Sequence, residues 1–258
     1  MYAGEQMSGE HKTQGTTTSL SANAGAAGFD PTRFTVVAGL GKTGVSVARF
    51  LAARGVPFAV ADSRAVPPGL EELHRLCPDV EQRLGGLAPA AFADAEQIIL
   101  SPGVAPETPA VADAQHRGIP VMGDIELFAE YADAPVIAVT GSNGKSTVVT
   151  LLAEMLKAAG CSVRLGGNVG VPALDLLGGA TPDTYLLELS SFQLETTFSL
   201  DAAAAVVLNV SEDHLDRHSS VGAYATIKQR IYRGSGLMVL NTDDPVVGAM
   251  AETGRGTV

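Results

Sequence analysis

Short apolar runs and amphipathic stretches take turns along most of this chain. The runs TVVAGL from Thr35, PFAVAD at 57–62, QIILSPG at 97–103 and IPVMGD at 119–124 are strand-length and bounded by Gly, Pro or Asp. Between them, residues 43–54, 69–76 and 108–117 read as helices. Such alternation predicts a parallel sheet with helices on both faces. A first domain, Rossmann-like, is expected over residues 29–134. The segment Ala132-Asp133-Ala134-Pro135 then breaks the helical pattern. A second α/β domain is expected from residue 135: strands VIAVT at 136–140, YLLELSS at 185–191, an apolar run at 202–210 and LMVLNT at 237–242, with helices at 148–159 and 221–232. Asp244-Pro245 reads as N-cap and first position of a last helix. Residues 1–28, rich in Thr, Ser, Gly and Ala, are expected to form a disordered tail.

Composition narrows the class. The 258 residues are 46% hydrophobic but only 5% aromatic, which suits α/β layers with close helix–sheet packing. A formal charge of −11 argues against a nucleic-acid surface, so an anionic ligand must be held locally by helix N-termini, single basic residues or metal ions. Cys77 and Cys161 have no metal spacing and are expected to be buried free thiols in a reducing cytosol. No run reaches membrane-span length, and a soluble cytoplasmic monomer is expected.

Residues 136–147 read VIAVTGSNGKST: a β-branched run, a Gly-rich turn, then Lys145-Ser146-Thr147 opening a helix. This strand, loop and helix predict a triphosphate cradle over Gly141, Ser142, Asn143, Gly144, Lys145, Ser146 and Thr147. Gly141 and Gly144 allow backbone N–H groups to turn inward, Lys145 reaches the terminal phosphates, and Ser146 offers a hydroxyl to Mg2+. The usual pattern has a Gly six positions before the Lys, where this chain has Val139.

Residues 39–44, GLGKTG, fit G-x-G-x-x-G, and Asp62 ends the next strand. Alone, this motif leaves a nicotinamide or flavin dinucleotide, another nucleotide, or a purely structural turn open. Arg64 could equally take a phosphate. Hydride transfer needs no triphosphate loop, so a second nucleotide-linked ligand is the simpler reading.

With GLGKTG, Asp62-Ser63-Arg64, Ser101-Pro102-Gly103, TGSNGKST from Thr140, GGNVG from Gly166, ELSSFQLETT from Glu188, NVSEDHLD from Asn209 and YATIKQRIY from Tyr224, the chain resembles the Mur ligases. These enzymes form amides with ATP in bacterial peptidoglycan synthesis. The likeness is to the branch that adds D-glutamate to UDP-N-acetylmuramoyl-L-alanine, and Val139 is that family's form of the loop. The resemblance implies ATP and Mg2+ as cofactors and an acyl-phosphate route. Gly144, Lys145, Ser146 and Thr147 would hold the phosphates, and Ser146, Glu188, His214 and a carbamylated Lys228 would hold magnesium, with Lys145, His214 and Lys228 in catalytic roles. Without the resemblance, Glu188 reads as a strand-end surface residue, His214 as a solvated or capping residue, and Lys228 as a helix surface charge. For the UDP-sugar it implies Lys42, Thr43, Asp62, Ser63, Arg64 and Gly103, with Asn168, Ser190 and Phe192 towards the sugar and its alanyl arm. Lys42 stands where the family has an apolar residue and Ser63 where it has Thr. The second domain is expected to be incomplete and the family's C-terminal ligase domain absent, so that the chain alone would ligate poorly. A folylpolyglutamate synthase, a sister ligase, an NAD(P)-binding dehydrogenase and a non-catalytic nucleotide-binding fragment are the alternatives.

Overall fold

The computed structural model describes residues 28–213, 217–251, 256 and 258. The tail expected over residues 1–28 lies, but for Gly28, outside them, and so does His214.

Five strands, β1 (Thr35–Ala38), β2 (Phe58–Asp62), β3 (Glu81–Leu84), β4 (Gln97–Leu100) and β5 (Val121–Gly123), form a parallel sheet in the order β3-β2-β1-β4-β5. Four helices accompany it: α1 (Lys42–Ala53), α2 (Leu70–Leu76), α3 (Pro109–His116) and α4 (Asp124–Tyr131). All four residues of β1 are buried, as a strand covered on both faces must be. The order reverses between β1 and β4, and the GLGKTG loop after β1 and Ser101-Pro102-Gly103 after β4 therefore face one crevice. Gly44 is required there, because a Cβ on it would lie 1.9 Å from the Gly39 carbonyl oxygen.

The second sheet is again parallel, in the order β10-β9-β6-β8-β7. Its strands are β6 (Val136–Thr140), β7 (Val163–Gly167), β8 (Thr184–Glu188), β9 (Ala204–Val207) and β10 (Leu237–Leu240). Its helices are α5 (Lys145–Ala158), α6 (Ser191–Leu194), α7 (Val221–Gln229) and α8 (Pro245–Gly248). Asp244 caps α8 through the Val246 and Val247 amides, as the Asp-Pro pair predicts. The strand expected at 185–191 stops at Glu188 instead. Ser190 and Gln193 form a reciprocal capping box, and this local bonding starts α6 and ends the strand.

One apolar cluster runs through both sheets, from Val37 and Val60 through Phe128 to Tyr185 and Leu187. Helix α4 is the bridge: the Phe128 ring meets Tyr185 edge-on, with centroids 5.2 Å apart. Such a pair adds about 0.5–1.5 kcal/mol beyond the area it buries. Cys77 and Cys161 are free but only half-buried, unlike the expectation of buried thiols. Among the described residues no helix is long and apolar enough to cross a membrane.

Candidate active site

The loop after β6 turns into α5 through Gly144, which adopts φ 81° as its N-cap. That left-handed conformation is open to glycine at little cost. No side chain caps this helix start, so the N–H groups of its first turn remain for an anion. Lys145 Nζ donates to the carbonyls of Gly141 at 2.8 Å and Ser142 at 3.0 Å, which holds its charge against the loop. The loop is fastened from outside: the Asn143 amide donates to Asn209 Oδ1 at 2.8 Å, and the Ser211 amide to Ser142 Oγ at 3.0 Å. Thr147 follows on the exposed first turn of α5.

Glu188, at the end of β8, is 1% exposed, which overturns its reading as a surface residue. Its carboxylate accepts from Ser146 Oγ at 2.7 Å and from Asn168 Nδ2 at 2.7 Å. Lys228 on α7 is likewise 1% exposed rather than a surface charge. Its Nζ lies 2.9 Å from the Gly141 carbonyl oxygen and 4.4 Å from the centre of the Tyr224 ring. Burial, and secondly the charge of Lys145, lower its pKa from 10.5 to about 7, against an opposing pull from Asp213.

A cleft of about 580 Å³ opens at the crevice of the first sheet. Lys42, Thr43, Asp62, Ser63, Arg64, Gly103 and Asn168 all line it, so seven of the nine residues named for the UDP-sugar meet there. Ser190 and Phe192 are not among the lining residues. Ser190 bonds to Gln193, which does line it, and the Phe192 ring packs beside His218 with the Arg217 guanidinium 4.8 Å away. Asp62 braces the cleft. Its oxygens accept from the Leu40 amide at 2.7 Å, the Arg64 amide at 2.9 Å, and Arg64 Nε and Nη2 at 2.8 and 2.7 Å. Burial works against its charge, but the Arg64 side chain and the two amides outweigh it and hold the pKa at about 2. A carboxylate so engaged is poorly placed to read ribose hydroxyls, which disfavours a dinucleotide. Lys42 crosses the cleft mouth to donate to the Gly170 carbonyl in the loop after β7.

The two sites share a wall. Asn168 lines the cleft while its side chain holds Glu188, and Glu188 holds Ser146 of the phosphate loop.

Comparison with known proteins gives the family. The family described as Mur ligase MurD-like, N-terminal domain, matches residues 33–123, and the Mur ligase middle domain matches residues 139–257. The chain belongs to the Mur ligase family. It is 58% identical over 220 residues to a UDP-N-acetylmuramoylalanine--D-glutamate ligase from Nitrosococcus oceani, covering 85% of this chain and 49% of that protein. A ligase of the same name from Marinobacter nauticus is 54% identical, with 85% and 49% covered. The chain thus spans about half the length of the curated relatives it matches. Among solved structures, the UDP-N-acetylmuramate:L-alanyl-gamma-D-glutamyl-meso-diaminopimelate ligase from Neisseria meningitides has the same fold, with a TM-score of 0.59 at 20% identity, covering 88% of this chain and 77% of that one. The MurC ligase from Thermotoga maritima gives a TM-score of 0.52 at 19% identity, covering 85% and 51%.

Mur ligases use ATP, and the magnesium that the resemblance implies can be tested against the donors present. Ser146 and Glu188 offer a hydroxyl and a carboxylate 2.7 Å apart beside the phosphate loop. Hard oxygen donors with a single carboxylate suit Mg2+, which completes its shell with phosphate and water oxygens. No cluster of three His, Cys, Asp or Glu occurs among the described residues. Asn209 and Ser211, which fasten the loop, and Gln193 and Asp124, which meet beside the cleft, were assigned no role from sequence. The first three lie inside or next to the quoted motifs. Asp124 was hidden at the end of a predicted strand.

Proposed function

We propose that the chain forms the UDP-sugar and ATP sites of a ligase that adds D-glutamate to UDP-N-acetylmuramoyl-L-alanine in cytoplasmic peptidoglycan precursor synthesis. The carrying observation is the shared wall: Asn168, Glu188 and Ser146, linked by two bonds of 2.7 Å, join an anion cradle to the cleft at the sheet's switch point. A carboxylate is a poor electrophile. In the proposed reaction an oxygen of the L-alanyl carboxylate attacks the γ-phosphorus of ATP, and ADP leaves. The D-glutamate amine then adds to the acyl carbon, loses its proton, and the tetrahedral intermediate expels phosphate as the amide forms.

In this reading Gly141, Ser142, Asn143, Gly144 and Thr147 cradle the phosphates through backbone and hydroxyl groups, and Lys145 offsets charge on the transferred phosphoryl. Ser146 and Glu188 would hold magnesium, with His214 and Lys228 assigned to the metal region by resemblance. When bound, the metal would disperse the negative charge of the phosphates. Thr43, Ser63, Arg64 and Gly103, with the α1 N-terminus, receive the UDP portion, and Asn168 faces the sugar side. Lys42 adds a cation at the cleft mouth. A carbamate on Lys228 is supported by its buried amine, because burial and Lys145 favour the neutral form that adds to CO2.

Calorimetric titration separates this reading from a dehydrogenase. UDP-N-acetylmuramoyl-L-alanine should bind the chain and NADH should not. Binding of NADH alone would reverse the conclusion.

A further inference from the structure

Asp124 opens α4 where β5 ends, and it is 2% exposed. Its Oδ2 accepts from Gln193 Nε2 at 3.0 Å, while Oδ1 is buried and finds no partner among the described residues. A buried carboxylate with an unused oxygen is costly for folding, so its partner is the place to look for its use. Gln193 is the third residue after the Ser190 cap. Its backbone amide donates to Ser190 Oγ at 3.2 Å, and its Oε1 accepts from the Ser190 amide at 3.1 Å. The two ends of a glutamine amide are alike in shape and opposite in polarity. The capping box needs the oxygen end at Ser190, and an acceptor at Asp124 enforces that choice. Gln193 also lines the cleft together with Asn168 and Gly103.

We propose that Asp124 is a positioning residue: it fixes the Gln193 amide, and with it the first turn of α6, so that this wall of the cleft keeps one polarity towards the ligand. The identity of the ligand rests on the UDP-sugar reading; the fixed amide does not. Glu126, two residues further on, makes a contrasting tie. Its Oε2 accepts from the Phe198 and Ser199 amides at 2.6 and 2.9 Å and holds only backbone beyond α6.

Two measurements on this chain test the role. The Gln193 side-chain amide resonances, assigned by their loss in Gln193→Glu, report the amide without any ligand. Calorimetry reports affinity for UDP-N-acetylmuramoyl-L-alanine beside a non-hydrolysable ATP analogue. Asp124→Ala should shift the Gln193 resonances and speed their solvent exchange, weaken the UDP-sugar about tenfold for one lost buried hydrogen bond, and leave the ATP analogue within about twofold. Asp124→Asn, whose carbonyl can accept the same bond, should restore both readouts. Glu126→Ala should lower the melting temperature and leave the resonances in place. Unchanged Gln193 resonances in Asp124→Ala, or equal loss of both ligands, would overturn the proposal. If Asp124→Ala does not fold, Gln193→Glu and the Asp124→Asn/Gln193→Glu pair decide. The pair restores a donor facing an acceptor, so recovered UDP-sugar affinity supports the role and no recovery overturns it. Failure of the unaltered chain to bind the UDP-sugar would sink the reading of the cleft, while resonances that depend on Asp124 would still support the fixed amide.

Discussion

Two buried charges stand out among individual residues, and each carries a pH signature. Burial lifts the Asp124 carboxyl from 3.8 to about 6, against the opposing hydrogen bond from Gln193 and the weaker pull of the nearby Asp124 and Ile125 amides. The folded chain therefore binds this proton more tightly than the unfolded chain does. Stability from this group is full below pH 4 and is lost as pH rises through 6. Compared with Asp124→Asn, the unaltered chain should gain up to about 3 kcal/mol between pH 7 and pH 4, measured by urea unfolding at each pH. A difference that does not change with pH would refute this. Lys228 is shifted the other way, towards a neutral amine near pH 7. Carbon-13 NMR in labelled bicarbonate should show a carbamate signal that Lys228→Arg abolishes. Neither burial could be read from sequence, because Asp124 ends a predicted strand and Lys228 sits on a helix whose neighbours only the fold supplies.

Among elements, the strands built from apolar runs were legible, the edge strands β5 and β10 included, and the other two edge strands were not. EQRL in β3 and VRLGG in β7 are polar or half-exposed, since an edge strand has one neighbour and need not be apolar. Helix α4 was missed for a different reason: its first residue closes the IPVMGD run, and its apolar face serves both sheets. The turn from β6 into α5 was legible, because its geometry is local. At Gly144, where φ is 81°, the nearest atom to an added Cβ is Leu208 Cδ1 at 3.9 Å, so space is available and only the backbone conformation resists. Gly144→Ala should leave the chain folded, cost roughly 1–2 kcal/mol, and weaken the ATP analogue while sparing the UDP-sugar. Parallel titrations check the split, and equal loss of both ligands would contradict it.

For the molecule as a whole, the arrangement of the two sites matters more than either alone. Glu188 holds Ser146 on one side and Asn168 on the other, so Glu188→Ala should weaken both ligands, by about tenfold or more for the loss of charge-assisted bonds. Retained UDP-sugar affinity would show that the wall is not shared. The sequence by itself determined two α/β units, a Gly-rich loop between strand and helix in each, and the family, because these depend on local periodicity and on residues adjacent in the chain. Tertiary structure decided the rest. Asn168 meets Glu188 across 20 residues, Gln193 meets Asp124 across 69 and Lys42 meets Gly170 across 128. Only the order of strands in each sheet and the packing of α4 between them bring those pairs within hydrogen-bonding distance, and no spacing along the chain encodes it.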